Sequence, residues 1–203
     1  LPSLGGPYDA HGKEQPYGHV AVRVYGKGYD KTYDFGRYGQ VWGLGGSEGE
    51  GQLRVWNNSF SEYIRGENAT GRTTTGHVIK TTREQDAQIM ANYDRLIEKT
   101  NPNDVRSFGG MADMRQYRLR ENYHALRYNC TTVSIDAIDP SLSLRLNDSS
   151  FNEGRQLSFS EKVAVKMQGW PDRIFMPMDL KELLGSQTSS GAVSKVNSYR
   201  RGR

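Results

Sequence analysis

Leu126–Ile138 reads "LRYNCTTVSIDAI" and holds the one cysteine of a 203-residue chain. Free cysteine is among the most buried residue types and is usually inert, so taken alone Cys130 counts as packing. Its setting changes that reading. Val133, Ala137 and Ile138 fall at helical spacing after a Tyr-rich, strand-like stretch, "QYRLRENYHALRY", that runs directly into the segment. The pattern predicts a helix that starts at or just before Cys130. Unpaired N–H groups and the positive end of the helix dipole favour a thiolate there. The same N–H groups are suited to holding the oxyanion of an acyl-transfer intermediate.

A nucleophilic cysteine also needs a base, and the chain offers His11, His19, His77 and His124. His124 lies close in sequence, but on an extended strand leading to Cys130 it would stand roughly 20 Å away. His11 falls in an irregular lead-in, Leu1 to Tyr17, where an exposed histidine is expected. His77 heads a strand with no acid in a matching one. His19 is better placed. In "GHVAVRVYG" the valines Val20, Val22 and Val24 alternate with His19, Ala21 and Arg23, the period of a half-buried strand. His19 thus points away from the valines, beside the small Ala21. The turn "GKGYD" leads into "KTYDFGRYG", where Tyr33 and Phe35 form the apolar side and Asp34 the other. If the faces correspond across this hairpin, Asp34 can orient His19 through its second ring nitrogen.

Outward from these halves, "GLGGSEGEG" (43–51) reads as a flexible loop, since it lacks the Gly-Lys-Ser/Thr ending of a phosphate loop. "QLRVWNN" and "GHVIKTT" read as strands. Thr82 to Lys99 reads as a helix, with Thr82 and Gln85, or Thr81 and Glu84, in a capping-box pattern and an apolar stripe of Ile89, Met90, Tyr93, Leu96 and Ile97. "SFSEKVAVKM" suggests a short helix, and "PMDLKELLG" another that begins near Pro177 and ends at Gly185. Residues 1–184 form one domain on this reading. Residues 185–203, "GSQTSSGAVSKVNSYRRGR", read as a basic, Ser/Gly-rich disordered tail.

The net charge of +4 is explained by that tail, because its Lys195, Arg200, Arg201 and Arg203 leave a body whose charges balance. No nucleic-acid partner is therefore expected. A mean hydropathy of −0.77, with 12 tyrosines, 6 phenylalanines and 3 tryptophans to bury, fits a soluble globular chain. No stretch approaches the roughly 18 apolar residues of a membrane span, and the first residues lack the layout of a Sec signal. The chain begins at Leu1 without methionine, which leaves room for an upstream piece. One cysteine cannot form an internal disulfide, and four scattered histidines offer no metal-ligand spacing, so no cofactor is expected.

The strand-borne His19 of "GHVAVRVYG", the polar Asp34 of "YDFGRYG" and the later Cys130 of "YNC" opening a helix resemble the circularly permuted papain-like proteins. These include the lecithin retinol acyltransferase relatives, the PPPDE-type isopeptidases and permuted relatives of the NlpC-type cell-wall peptidases. The order His then Cys carries the match. The resemblance covers about Gly18 to Gly36 and Leu126 to Ile138. It implies an α+β fold with an antiparallel sheet packed against helices, Cys130 as nucleophile, His19 as general base and then acid, and Asp34 as orienting residue. The absence of a histidine soon after the cysteine and of a membrane helix argues against a retinoid-lipid substrate. Bacterial members of this size resemble type VI secretion effectors that cleave peptidoglycan peptides. That implies a monomeric toxin made in the bacterial cytoplasm and exported without a Sec signal. It would act in the target-cell periplasm and be held in check by an immunity protein. The rival readings are a thiol hydrolase or acyltransferase acting on lipid esters or protein isopeptides, and a non-catalytic binding protein.

Overall fold

Alternation of apolar and polar residues at a period of two sets the centre of the fold, a run of antiparallel strands. The structure, a computed structural model, describes residues 2–6, 18–43, 47–69, 72–100, 105–108, 111–147, 149–151, 153–155, 157–167, 169 and 173–200. Strands β2 (His19–Gly26) and β3 (Tyr29–Gly36) form the expected hairpin, in which Ala21 pairs with Asp34 and Gly26 with Tyr29. Gly28 in the two-residue turn has φ +93°, a conformation open to glycine at no steric cost.

The hairpin is extended by β6 (Gln52–Asn57), β9 (Met111–Arg118) and β8 (Val105–Phe108) on one side, and by β1 (Pro2–Gly6) and β7 (Thr73–Ile79) on the other. All of these pairings are antiparallel. A small second sheet joins β4 (Val41–Trp42), β5 (Glu48–Gly49) and β10 (Tyr123–His124). With the five α-helices among the described residues, the fold is mixed α+β built on antiparallel sheets.

Both faces of the large sheet are covered. On one, Val20, Val22, Val24, Tyr33 and Phe35 pack with Ile89 and Tyr93 of α2 (Arg83–Glu98) and Val133 and Ile138 of α3 (Cys130–Leu142). The Tyr33 and Tyr93 rings stack with centroids 4.0 Å apart. On the other face, Ala21, Trp56 and Met114 receive Tyr63 of α1 (Phe60–Ala69). α2 starts at the first of the two expected boxes: Thr82 Oγ1 accepts the Gln85 N–H at 3.2 Å, and Gln85 Oε1 accepts the Thr82 N–H at 2.9 Å. Two satisfied donors at a helix end stabilise it by about 1 kcal/mol each. α4 (Phe159–Met167) lies where the sequence suggests a short helix. No helix of the described residues is long and apolar enough to cross a membrane.

Three readings are corrected. The lead-in is not wholly irregular, because Pro2–Gly6 forms β1 between β2 and β7; His11 lies outside the described residues, as do positions 44–46 of the glycine-rich loop. The stretch before Cys130 is not one strand. β9 stops at Arg118, and the chain then turns through Ala125–Arg127. The proposed disordered tail is also ordered through Arg200. α5 (Pro177–Ser189) runs past Gly185, and β11 (Val193–Tyr199) pairs with β7 at the sheet edge. Propensity misjudged this segment because Val193, with Leu180, Leu183 and Leu184, is buried in the core and Tyr199 packs on Phe60, while Ser194, Lys195, Val196 and Ser198 are exposed. A chain cut before Val193 should therefore lose about 2–3 kcal/mol of stability and melt roughly 4–10 °C lower in a thermal scan. A solvated tail would leave Tm unchanged.

Candidate functional site

The site begins with a buried charge. Asp34 is 2% exposed, and its strand position faces the side of the sheet that carries Ala21. His19, two residues before Ala21, is its diagonal neighbour on that face, and the His19 Nε2–Asp34 Oδ1 contact is a short buried hydrogen bond. Tyr38 completes the shell around the carboxylate. Its hydroxyl donates to both Asp34 oxygens, at 2.8 and 2.9 Å, and lies 3.3 Å from His19 Nε2. The Arg54 guanidinium covers the Tyr38 ring at 3.4 Å from the centroid and donates to Gln116 Oε1 at 2.8 Å. Tyr38 can fold back over Asp34 because Gly36 precedes it; a Cβ on Gly36 would sit 2.8 Å from the Tyr38 ring.

The other half is built by α3. Asn129 is its N-cap and is 1% exposed. Its Oδ1 accepts the Thr131 N–H at 2.9 Å and the Thr132 N–H at 3.0 Å, while Thr132 Oγ1 accepts the Asn129 N–H at 2.9 Å. Asn129 Nδ2 donates to Ala125 O at 2.8 Å and Phe175 O at 3.2 Å. Cys130 is therefore the first helical residue, and the cap before it is tied to the loop at Ala125 and the segment at Phe175. Its thiol lies close enough to His19 for its charge to act on the imidazole. Since Asp34 takes Nε2, the ring nitrogen left for the thiol is Nδ1.

Electrostatics follow from this packing. For His19, burial is the largest influence and pushes the pKa down, but Asp34 and then Cys130 outweigh it and hold the imidazole well above its ordinary 6.5. For Asp34, burial pushes upward, yet the His19 charge and the His19 and Tyr38 hydrogen bonds keep the carboxyl below its ordinary 3.8. Burial and the neighbouring Asp34 raise the Tyr38 phenol, which stays a donor. The structure thus brings Cys130, His19 and Asp34 together. His19 and Tyr38 line a cleft of about 860 Å³ whose wall also includes Arg37, Ser47, Tyr123 and His124. Cys130 itself is 2% exposed, belongs to the core cluster and does not line the cleft.

The site differs from the sequence reading in three respects. The helix N-terminus supplies fewer oxyanion donors than expected, because Asn129 engages the Thr131, Thr132 and Val133 N–H groups and leaves that of Cys130. His124 is not a distant strand residue; its Nδ1 accepts the Leu126 and Arg127 N–H groups at 3.1 and 3.3 Å, and it stands in the cleft wall. His77 is buried in β7 with neither ring nitrogen bonded, apart from the site. Tyr38 and Arg54 escaped the sequence reading. The one signal for Tyr38 was an aromatic hydroxyl four positions after Asp34, across a glycine. Among the described residues no group of three or more His, Cys, Asp or Glu side chains could hold a metal ion.

Asn129→Ala should cost about 1–3 kcal/mol, read as a Tm lowered by roughly 2–10 °C, since it removes a helix cap and leaves buried partners unpaired. In an NMR titration the His19 imidazole should lose its proton well above pH 6.5 in the wild type. In Asp34→Asn it should do so below that value, because burial becomes the largest influence left. The stability contributed by His19 is full below about pH 6.5 and fades as pH rises through its raised folded pKa. That contributed by Asp34 is full above about pH 3.8 and fades as pH falls through its lowered one. Denaturation midpoints measured against pH should show both limbs in the wild type; in Asp34→Asn the Asp34 limb should vanish and the His19 limb reverse, with stability falling as pH drops below about 6.5.

No protein-family model, curated protein or solved structure matches this chain, and the chemistry rests on the arrangement of these side chains.

Proposed function

We propose that the chain is a cysteine hydrolase of circularly permuted papain-like architecture that cleaves amide bonds in peptidoglycan peptides as an exported antibacterial effector. One observation carries the chemical part. A lone thiol at a helix N-terminus meets an imidazole whose far nitrogen is held by a buried carboxylate, at the edge of a cleft large enough for a peptide. The substrate and the export route rest on the resemblance of "GHVAVRVYG", "YDFGRYG" and "YNC" to permuted NlpC-type peptidases. On the same reading an immunity protein protects the producing cell, and the target-cell periplasm is where the enzyme acts.

In the proposed reaction, His19 Nδ1 takes the Cys130 proton and the thiolate attacks the amide carbon. The oxyanion is met by the Cys130 N–H. Collapse of the intermediate breaks the C–N bond as the His19 imidazolium protonates the departing amine, leaving a thioester. His19 then takes a proton from water, whose oxygen attacks the thioester and releases the carboxylic acid and the Cys130 thiol. Asp34, fixed by Tyr38, keeps the imidazole in the tautomer and orientation this needs, and offsets its positive charge.

A second reading, a non-catalytic binding cleft, is favoured by the burial of Cys130, which does not line the cleft. Incubation of purified sacculi separates the two. The wild type should release soluble fragments with new amino groups, and Cys130→Ala and His19→Ala should lower that rate by at least about 10³-fold. Identical product profiles from the wild type and Cys130→Ala would sink the proposal. Release of acid from a lipid ester or a protein isopeptide, with sacculi left intact, would redirect the same site to another substrate.

A further inference from the structure

Among the described residues, the cleft wall carries one guanidinium without an ionic partner. Arg37 follows Gly36 at the end of β3, between Asp34 and Tyr38, and lines the cleft with His19 and Tyr123. It is exposed, and no carboxylate among the described residues pairs with it. The other charged side chains of the wall are engaged. Arg72 pairs with Glu67 at 3.2 Å, Glu48 accepts the Trp42 indole N–H at 3.3 Å, and Glu161 accepts the Ser158 N–H at 2.7 Å.

Arg37 has an aromatic neighbour in the cleft wall, Tyr123. The guanidinium carbon is 5.9 Å from the Tyr123 ring centroid, and that ring packs against Phe35 with centroids 5.9 Å apart. Burial first, and the charge at Cys130 second, raise the Tyr123 phenol above its ordinary value, while Arg37 opposes them. Arg37, the Tyr123 ring and the base that faces the thiol thus share one cleft. A guanidinium presents a planar fork of donors that matches a carboxylate in bidentate fashion, and the neighbouring ring restricts where that fork can point.

We propose that Arg37 forms a subsite for a carboxylate carried by the substrate next to the bond that Cys130 attacks, so the class of substrate is an acidic peptide. This rests on the reading of Cys130 as a nucleophile. It goes beyond that reading by assigning the cleft a sign and a specificity residue.

The chain has one thiol, so alkylation reports on this site alone. Folded protein is treated with iodoacetate, which carries a carboxylate, and in parallel with iodoacetamide, its neutral analogue. The ratio of the two second-order rates at Cys130 is read by mass spectrometry. Arg37→Gln should lower the ratio about three- to tenfold, the range of a partly exposed charge pair, and Arg37→Lys should keep it within about twofold of the wild type. Sodium chloride on the order of 0.5 M should move the wild-type ratio toward that of Arg37→Gln, a check that needs no variant to fold. Brisk alkylation with the same ratio in the wild type and Arg37→Gln, unmoved by salt, overturns the subsite and leaves the nucleophile standing. Failure of both reagents to label the folded protein, with rapid labelling once it is denatured, overturns the nucleophile and the subsite together.

Discussion

Asp34 carries its charge where water does not reach, and much of the molecule is arranged to make that tolerable. An unpaired buried carboxylate would shed its charge by taking a proton. Here the His19 imidazole and the Tyr38 hydroxyl hold both oxygens, and Arg54 adds a positive charge from above the Tyr38 ring. Each partner comes from a different place: β2, the turn after β3, and β6. The register of the hairpin cannot slip by one residue without turning Asp34 into the core face occupied by Tyr33 and Phe35.

The second half of the site obeys a different constraint, that of a helix end buried in protein. Orphan N–H groups there need acceptors, and Asn129 supplies one oxygen to two of them while its amide nitrogen ties the loop before it and the segment before α5. By satisfying the first turn, Asn129 fixes the position of Cys130 and leaves a single N–H there without a bond among the described residues. On the proposed function, stability and chemistry compete for these donors, and a nucleophile on a helix facing a base on a strand would need little reorganisation to react.

Where local chemistry decides, the residues speak for themselves. The alternation in β2 and β3, the Thr82–Gln85 box and the apolar spacing after Cys130 each correspond to an element of the structure. The pairing of His19 with Asp34 could be inferred because a hairpin fixes the register across two strands. What could not be read depends on contacts distant in sequence. Tyr38 looks like a turn residue until Gly36 lets it fold back, and Arg54 gains its role from that ring. β11 hid behind a Ser/Gly-rich, basic composition, which is also what an exposed sheet edge needs to discourage pairing with another chain. His124 was misplaced because a turn at 125–127 was read as continued strand.

The sheet order β11-β7-β1-β2-β3-β6-β9-β8 also bears on how the molecule comes into being. β1 lies between β2 and β7, and the cap of the Cys130 helix is tied to Phe175. Neighbours in space are thus drawn from widely separated stretches of chain, a topology that folds slowly because loop closure comes before its reward. During synthesis His19 emerges long before its thiol, and the thiol before the carbonyl that steadies its helix. A half-made chain therefore contains a histidine, an aspartate and a cysteine but no His19–Cys130 pair, and the candidate site arrives in one late step with the tertiary structure itself.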